Sequence, residues 1–196
     1  RGVLLDAGGR PLPGVVLHLN QKNRDMESFL GPQTIGTDAD GKFLFTNLAP
    51  NDEYVVCAAM TDLATRSVAA PTVTVRVPGD SKSANDVKLL VSRARSIRGR
   101  LRLTDGKPVP RGTRVMLGRE GSWDVQFTEA DREGRFAFKG VPANGGDALS
   151  LYATIRGYKY SRKTPGLEKV EYRIHSVPIP PGESDITDLD VFFEQG

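Results

Sequence analysis

Between Ile97 and Leu103 the chain alternates strictly: Ile97, Gly99, Leu101 and Leu103 on one side, Arg98, Arg100 and Arg102 on the other. A period of two belongs to a β-strand with one face in a core and one in water. Leu17 and Leu19 share a face in the same way, as do Val115 and Leu117. Phe43 with Phe45, and Phe136 with Phe138, place two rings on one side of a strand just after a glycine-containing turn. Trp123, Val125 and Phe127 share a parity opposite Asp124 and Gln126, which predicts that Trp123 points into the core. No window shows a helical period. With 21 Gly and 13 Pro to break the runs, the pattern predicts many short strands stacked as an antiparallel sandwich.

The pattern occurs twice. Arg1-Gly2 followed by Gly9-Arg10-Pro11-Leu12-Pro13 returns as Arg98-Gly99 followed by Gly106-Lys107-Pro108-Val109-Pro110. Asp38-Ala39-Asp40-Gly41-Lys42-Phe43 returns as Asp131-Arg132-Glu133-Gly134-Arg135-Phe136. Val77-Pro78-Gly79-Asp80 and Pro180-Pro181-Gly182-Glu183 each precede a last apolar strand. Matches in one order define two domains, 1–95 and 96–196. The join, Ser92-Arg93-Ala94-Arg95-Ser96, has no Gly/Ser or Pro spacer, which predicts domains held close.

These residues resemble the carboxypeptidase regulatory-like domain, a prealbumin-like β-sandwich. Gly2, Gly9, Pro11, Leu12, Gly14, Thr37, Asp38, Asp40, Gly41, Phe43, Phe45, Leu48, Pro50, Tyr54 and Val56 carry the likeness in the first copy. Gly99, Gly106, Pro108, Val109, Gly112, Asp131, Glu133, Gly134, Phe136, Phe138, Val141 and Pro142 carry it in the second. The second copy departs by one extra residue before Gly112 and by Leu149-Ser150-Leu151 in place of a tyrosine strand. The resemblance implies two tandem all-β Greek-key sandwiches of about seven strands each. It also implies a place in a larger secreted or envelope protein (periplasm, cell surface or secreted). Arg1 opens in mid-strand, so the chain reads as a piece of something longer.

Composition narrows the function. One cysteine excludes an internal disulfide framework and a cysteine-built zinc site, and two histidines exclude most histidine-built metal centres. Cys57, inside the apolar run 54–59, reads as core. No apolar run is long enough to cross a bilayer. The net charge is only +3 over 27 basic and 24 acidic residues, which argues against nucleic acid as a partner. No metalloprotease, nucleophile-elbow or phosphate-loop motif is present. Intradiol dioxygenases share this sandwich but resemble a two-tyrosine, two-histidine iron site with the histidines close together, whereas His18 and His175 lie in different copies. Surface adhesins with lysine–asparagine cross-links want a lysine in the first strand, and neither copy has one. Asp38-Ala39-Asp40-Gly41 lacks the further oxygen ligands of a calcium loop and reads as a hairpin turn. No cofactor is expected, and the chain reads as non-catalytic.

Two surfaces remain as binding candidates. Arg156, Tyr158, Lys159, Tyr160, Arg162 and Lys163 interleave aromatic rings with cations, a composition that can stack on a sugar and bond an anion. Arg93, Arg95, Arg98, Arg100 and Arg102 form the densest basic stretch. Val3 and Leu5 occupy the places of Arg100 and Arg102, so the outward face of that strand is apolar in the first copy. We expect it to be covered by the second copy or by another domain. The sequence therefore predicts a structural or presentation module whose partners are other domains of its polypeptide or envelope proteins. A glycan- or polyanion-binding module built on 156–163 is the alternative.

Overall fold

The computed structural model describes residues 1–22, 32–80, 86–143 and 148–196. The first half runs β1 (Gly2–Leu5), β2 (Val16–Gln21), β3 (Gln33–Gly36), β4 (Lys42–Phe43), β5 (Glu53–Ala58), α1 (Met60–Ala64), β6 (Val68–Ala69), β7 (Val73–Arg76) and β8 (Val87–Leu90). The second follows β9 (Ser92–Arg93) with β10 (Arg95–Leu103), β11 (Arg114–Arg119), β12 (Val125–Glu129), β13 (Arg135–Val141), β14 (Leu149–Ala153), β15 (Tyr158–Tyr160), β16 (Val177–Pro178) and β17 (Ile186–Gln195). Sheets ordered β4-β1-β8 and β3-β2-β5-β7 make one sandwich; β13-β10-β17-β15 and β12-β11-β14-β16 make the other. The short ribbon β6-β9 pairs Val68–Ala69 with Ser92–Arg93.

The sheets are not wholly antiparallel. In each copy the first strand lies parallel to the last, β1 with β8 and β10 with β17, while pairing antiparallel with β4 or β13 on its other side. The alternation read from 97–103 holds: Ile97, Leu101 and Leu103 are buried and Arg98 is exposed. Each core is closed by its phenylalanine pair, whose rings meet edge to face at 6.0 Å (Phe43–Phe45) and 6.1 Å (Phe136–Phe138). The early glycine of the motif has a steric cause. A Cβ on Gly99 would run into the Phe136 ring and the Leu189 carbonyl, and one on Gly2 into the Phe43 ring and the Val87 carbonyl. The tip of the ring fills the space a side chain would take at this one position. The Asp-x-x-Gly turns are held by carboxylates: Asp38 Oδ1 accepts the N–H groups of Asp40 and Lys42 at 2.9 and 2.8 Å. Asp131 Oδ1 accepts that of Arg135 at 2.8 Å.

Strand register aligns the two copies residue by residue. Leu17 faces Ala58 as Val115 faces Ala153. Leu4 lies beside Leu89 as Leu101 lies beside Val191. Val68 then pairs with Arg93 as Tyr158 pairs with Gln195, which makes β6 the counterpart of β15 and β9 the far end of β8. Between these fixed points the first copy has residues 59–67 where the second has only 154–157. The extra length is α1. No helical period announced it, because Met60–Ala64 is barely more than a turn.

Candidate functional site

The feature with the most buried chemistry is the joint between the copies. Met60 and Leu63 of α1 are both fully buried, but in different places: Leu63 belongs to the core of the first sandwich, Met60 to that of the second. Ala59, which precedes the helix, has no side chain able to cap it. The cap comes from the other copy, where both carboxylate oxygens of Asp124 accept the Met60 N–H at 3.1 Å. The Arg119 guanidinium donates from Nη1 to the Ala70 carbonyl at 3.0 Å, and its Nε lies 3.4 Å from Asp124 Oδ2. Their side chains are 0% and 2% exposed. Both sit in the β11–β12 hairpin, closed by the Arg119 N–H donating to the Asp124 carbonyl at 3.0 Å.

The hairpin fastens elsewhere too. Thr61 Oγ1 donates to the Val125 carbonyl at 3.3 Å. Asp62 Oδ2 accepts the Val16 N–H at 2.8 Å, tying α1 to β2. Gly140, at φ +67°, lies so close to Ala64 that a Cβ there would overlap its backbone. Burial pushes the Asp124 carboxyl up; the Arg119 charge, the Met60 N–H and, more weakly, His18 oppose it, while Asp62 adds to it. Desolvation outweighs pairing here.

The residues of 156–163 are drawn into strand architecture. Tyr158 donates its hydroxyl to Asp105 Oδ2 at 2.8 Å, and Lys107 Nζ lies 3.0 Å from the same oxygen. Together they bring the Asp105 carboxyl down to about 2, the Tyr158 hydroxyl being the larger cause. Tyr160 is buried against Phe193, with ring centroids 4.7 Å apart. Its hydroxyl accepts the Ala153 N–H at 2.6 Å and donates to the Ala153 carbonyl at 2.9 Å; burial pushes it up to about 12. Lys159 Nζ lies 3.5 Å from Glu194, and Arg162 Nε donates to the Val170 carbonyl at 2.7 Å. Arg156, Lys159, Arg162 and Lys163 are exposed; the tyrosines are turned inward.

The arginine stretch divides. Arg95 is buried, with Nε donating to the Pro142 carbonyl at 3.3 Å. Arg102 pairs with Asp190 at 3.0 Å, and Arg100 Nε donates to the Glu133 carbonyl at 2.6 Å. A groove of ≈ 550 Å³ runs past Arg98, Arg100, Arg102 and Arg135. Its counterpart in the first copy, ≈ 710 Å³, is lined by Val3, Ile35, Phe43 and Leu44, with Lys42 and Lys88 at hand. Val3 and Leu5 are half-buried there, while Leu44 and Leu90 are 56% and 50% exposed. The hydrogen bonds described between the two copies among the described residues run through α1, the β11–β12 hairpin and Ala70, away from this face.

Trp123 corrects a prediction. The parity was right and the face was reversed: Asp124 and Gln126 are buried, whereas Trp123 and Phe127 are 56% and 54% exposed. The register explains it, since Gln126 lies opposite the core residue Leu117 and Phe127 opposite Met116 on the outer side. Gln126 Nε2 reaches across to the Lys139 carbonyl at 3.1 Å, and Arg114 sits 4.4 Å over the Phe127 ring. Cys57 is fully buried. His18 Nδ1 lies 3.3 Å from Thr34 Oγ1, and His175 is exposed. Among the described residues no three His, Cys, Asp or Glu side chains are grouped to hold a metal ion.

No protein-family model and no curated protein matches the chain. Among solved structures it is similar to the Bacillus anthracis TIE protein, with 15% identity over 99% of this chain and a TM-score of 0.38. It is also similar to GBS52, the minor pilin of Streptococcus agalactiae, with 14% identity over 100% of this chain and 95% of that one and a TM-score of 0.42. The shaft pilin spaA of Lactobacillus rhamnosus GG follows, with 11% identity over 100% of this chain and 97% of that one and a TM-score of 0.34. The chain spans 33% of the Bacillus anthracis protein's length. At such scores the functional reading stands on the chain's own geometry.

Proposed function

We propose that the chain is a non-catalytic structural module in which two carboxypeptidase-regulatory-like sandwiches, 1–95 and 96–196, act as one rigid spacer. The motif resemblance supports a setting in a larger secreted or envelope protein, with neighbouring domains as its partners. The observation that carries the rigid-spacer reading is α1, which buries Leu63 in one core and Met60 in the other. A tether between independent beads would leave such side chains in their own domain. The glycan alternative is less favoured, because both tyrosine hydroxyls of 156–163 are taken up by Asp105 and Ala153 instead of facing a ligand.

Calorimetry of the full chain tests the reading. One unfolding transition is expected, with calorimetric and van't Hoff enthalpies equal. Two separable transitions, each about half the enthalpy, would make the copies independent and sink it.

A further inference from the structure

We propose that the buried Arg119–Asp124 pair serves to fix the direction in which the two sandwiches face each other and adds little to the stability of the chain. The inference rests on the rigid-spacer reading and says how the rigidity is obtained. Two fully buried opposite charges recover by their attraction only part of what they lost in leaving water. Apolar residues of similar size at such places are commonly as stable or more so. What apolar residues cannot do is aim. Asp124 accepts the Met60 N–H at the start of α1, and Arg119 donates to the Ala70 carbonyl just after β6. These are two points on different elements of the first sandwich, both gripped from one hairpin of the second. Two separated directional bonds remove rotation about the joint, as one contact does not.

Of the other contacts, the Thr61 hydroxyl on the Val125 carbonyl starts from the same helix as the Met60 bond, so it adds no second element to the grip. Met60 is an unbranched, adaptable side chain in an apolar pocket, and Gly140 against Ala64 permits close approach without setting an angle. The charged and titratable groups that face Asp124 are Arg119 on its own hairpin, Asp62 on α1 and His18 on β2. Asp62 is itself committed to the Val16 N–H and does not substitute in the clamp.

Spin labels at the exposed positions Thr74→Cys and Arg132→Cys, in a Cys57→Ala background, report the distance between the sandwiches. The parent should give one narrow distribution. The double variant Arg119→Met/Asp124→Leu should unfold in a single transition, lowered only by the loss of the Met60 and Ala70 backbone bonds, with its distance distribution widened about twofold or more. Arg119→Lys guards against a double variant that does not fold. It keeps the charge but has no fork to hold Asp124 and Ala70 together, so it too should fold and widen the distribution. A narrow parent with equally narrow distributions in the variants overturns the orienting role alone. Variants that melt far below the parent while staying narrow do the same, since the pair would then be stabilising and not orienting. A broad parent distribution overturns the rigid-spacer reading, and the inference falls with it.

Discussion

The two sandwiches share a frame down to the ring over the first-strand glycine, yet treat the connection after the fifth strand differently. In the second copy residues 154–157 turn directly into β15, and Ile155 and Tyr160 are buried in the same sandwich's core. In the first, residues 59–67 make α1 and send Met60 into the neighbour. Their outer faces differ as well: the groove beside the first strand is lined by Val3, Ile35 and Leu44 in one copy and by Arg100, Thr128 and Arg102 in the other. The lesson is that the pleated frame tolerates change at connections and outward positions. The copies differ at those two places and at the next connection, where residues 161–176 of the second stand against 70–72 of the first.

The comparison breaks hardest at Met60. If this residue is core for the second sandwich, Met60→Ala should cost about 2–5 kcal/mol in denaturant unfolding and lower the single transition as a whole. Leu63→Ala, in the other core, should cost a similar amount. A loss under about 1 kcal/mol at Met60 would mean that the second core closes without it. Gly140 comes next. It stands where the first copy has Asn47, and both adopt left-handed backbone, at φ +67° and 59°. Gly140→Ala adds that strain to an overlap with Ala64, so a loss of about 1–3 kcal/mol is expected. Asn47→Gly should be neutral or gain less than about 1 kcal/mol by relieving the same strain with nothing packed against it.

Much of the frame was legible because a strand buried on one face writes its own period. Ile97 to Leu103 and the paired phenylalanines needed no third dimension. Trp123 was misread since parity says which residues share a face, not which face is inside. Here the inward side is the polar one: Gln126 faces its own core opposite Leu117, and Asp124 faces the neighbouring sandwich. The joint was illegible for a related reason: Met60 and Leu63, three residues apart, serve different cores and so leave no stripe. Arg119 looked like any strand-end arginine, and only its zero exposure beside Asp124 reveals it. The 156–163 segment announced its chemistry, but alternation turned its tyrosines inward and left the cations as a wet edge.

That wet edge offers a smaller test. The Tyr158 hydroxyl is the main cause of the low Asp105 titration, ahead of Lys107. Tyr158→Phe should therefore raise the Asp105 midpoint from about 2 toward the ordinary carboxylate range, as read by carboxyl NMR. The folded form holds this carboxylate below its unfolded value. Its contribution to stability is thus complete above the unfolded value and fades as pH falls toward 2. Asp105→Asn should remove that contribution at neutral pH and leave stability in acid little changed, which flattens this part of the acid limb. The position in the first copy that aligns with Asp105 is Gly8, so this part of the acid limb has no counterpart there.

The smallest expected effect concerns the apolar outer face. Rewriting it in the second copy's terms, Val3→Arg with Leu5→Arg, gives outward positions the residues that β10 already carries. Both side chains are half-buried, so each change forfeits only part of a side chain's burial, and the cations can extend their heads into water. The double variant should lose no more than about 1 kcal/mol and keep one transition. If it loses several, the face is an interior of this chain in spite of the exposure of Leu44 and Leu90. A small loss would leave the face a surface that this chain does not need to cover for its own stability. The two copies would then differ there by what meets them from outside and not by how they fold.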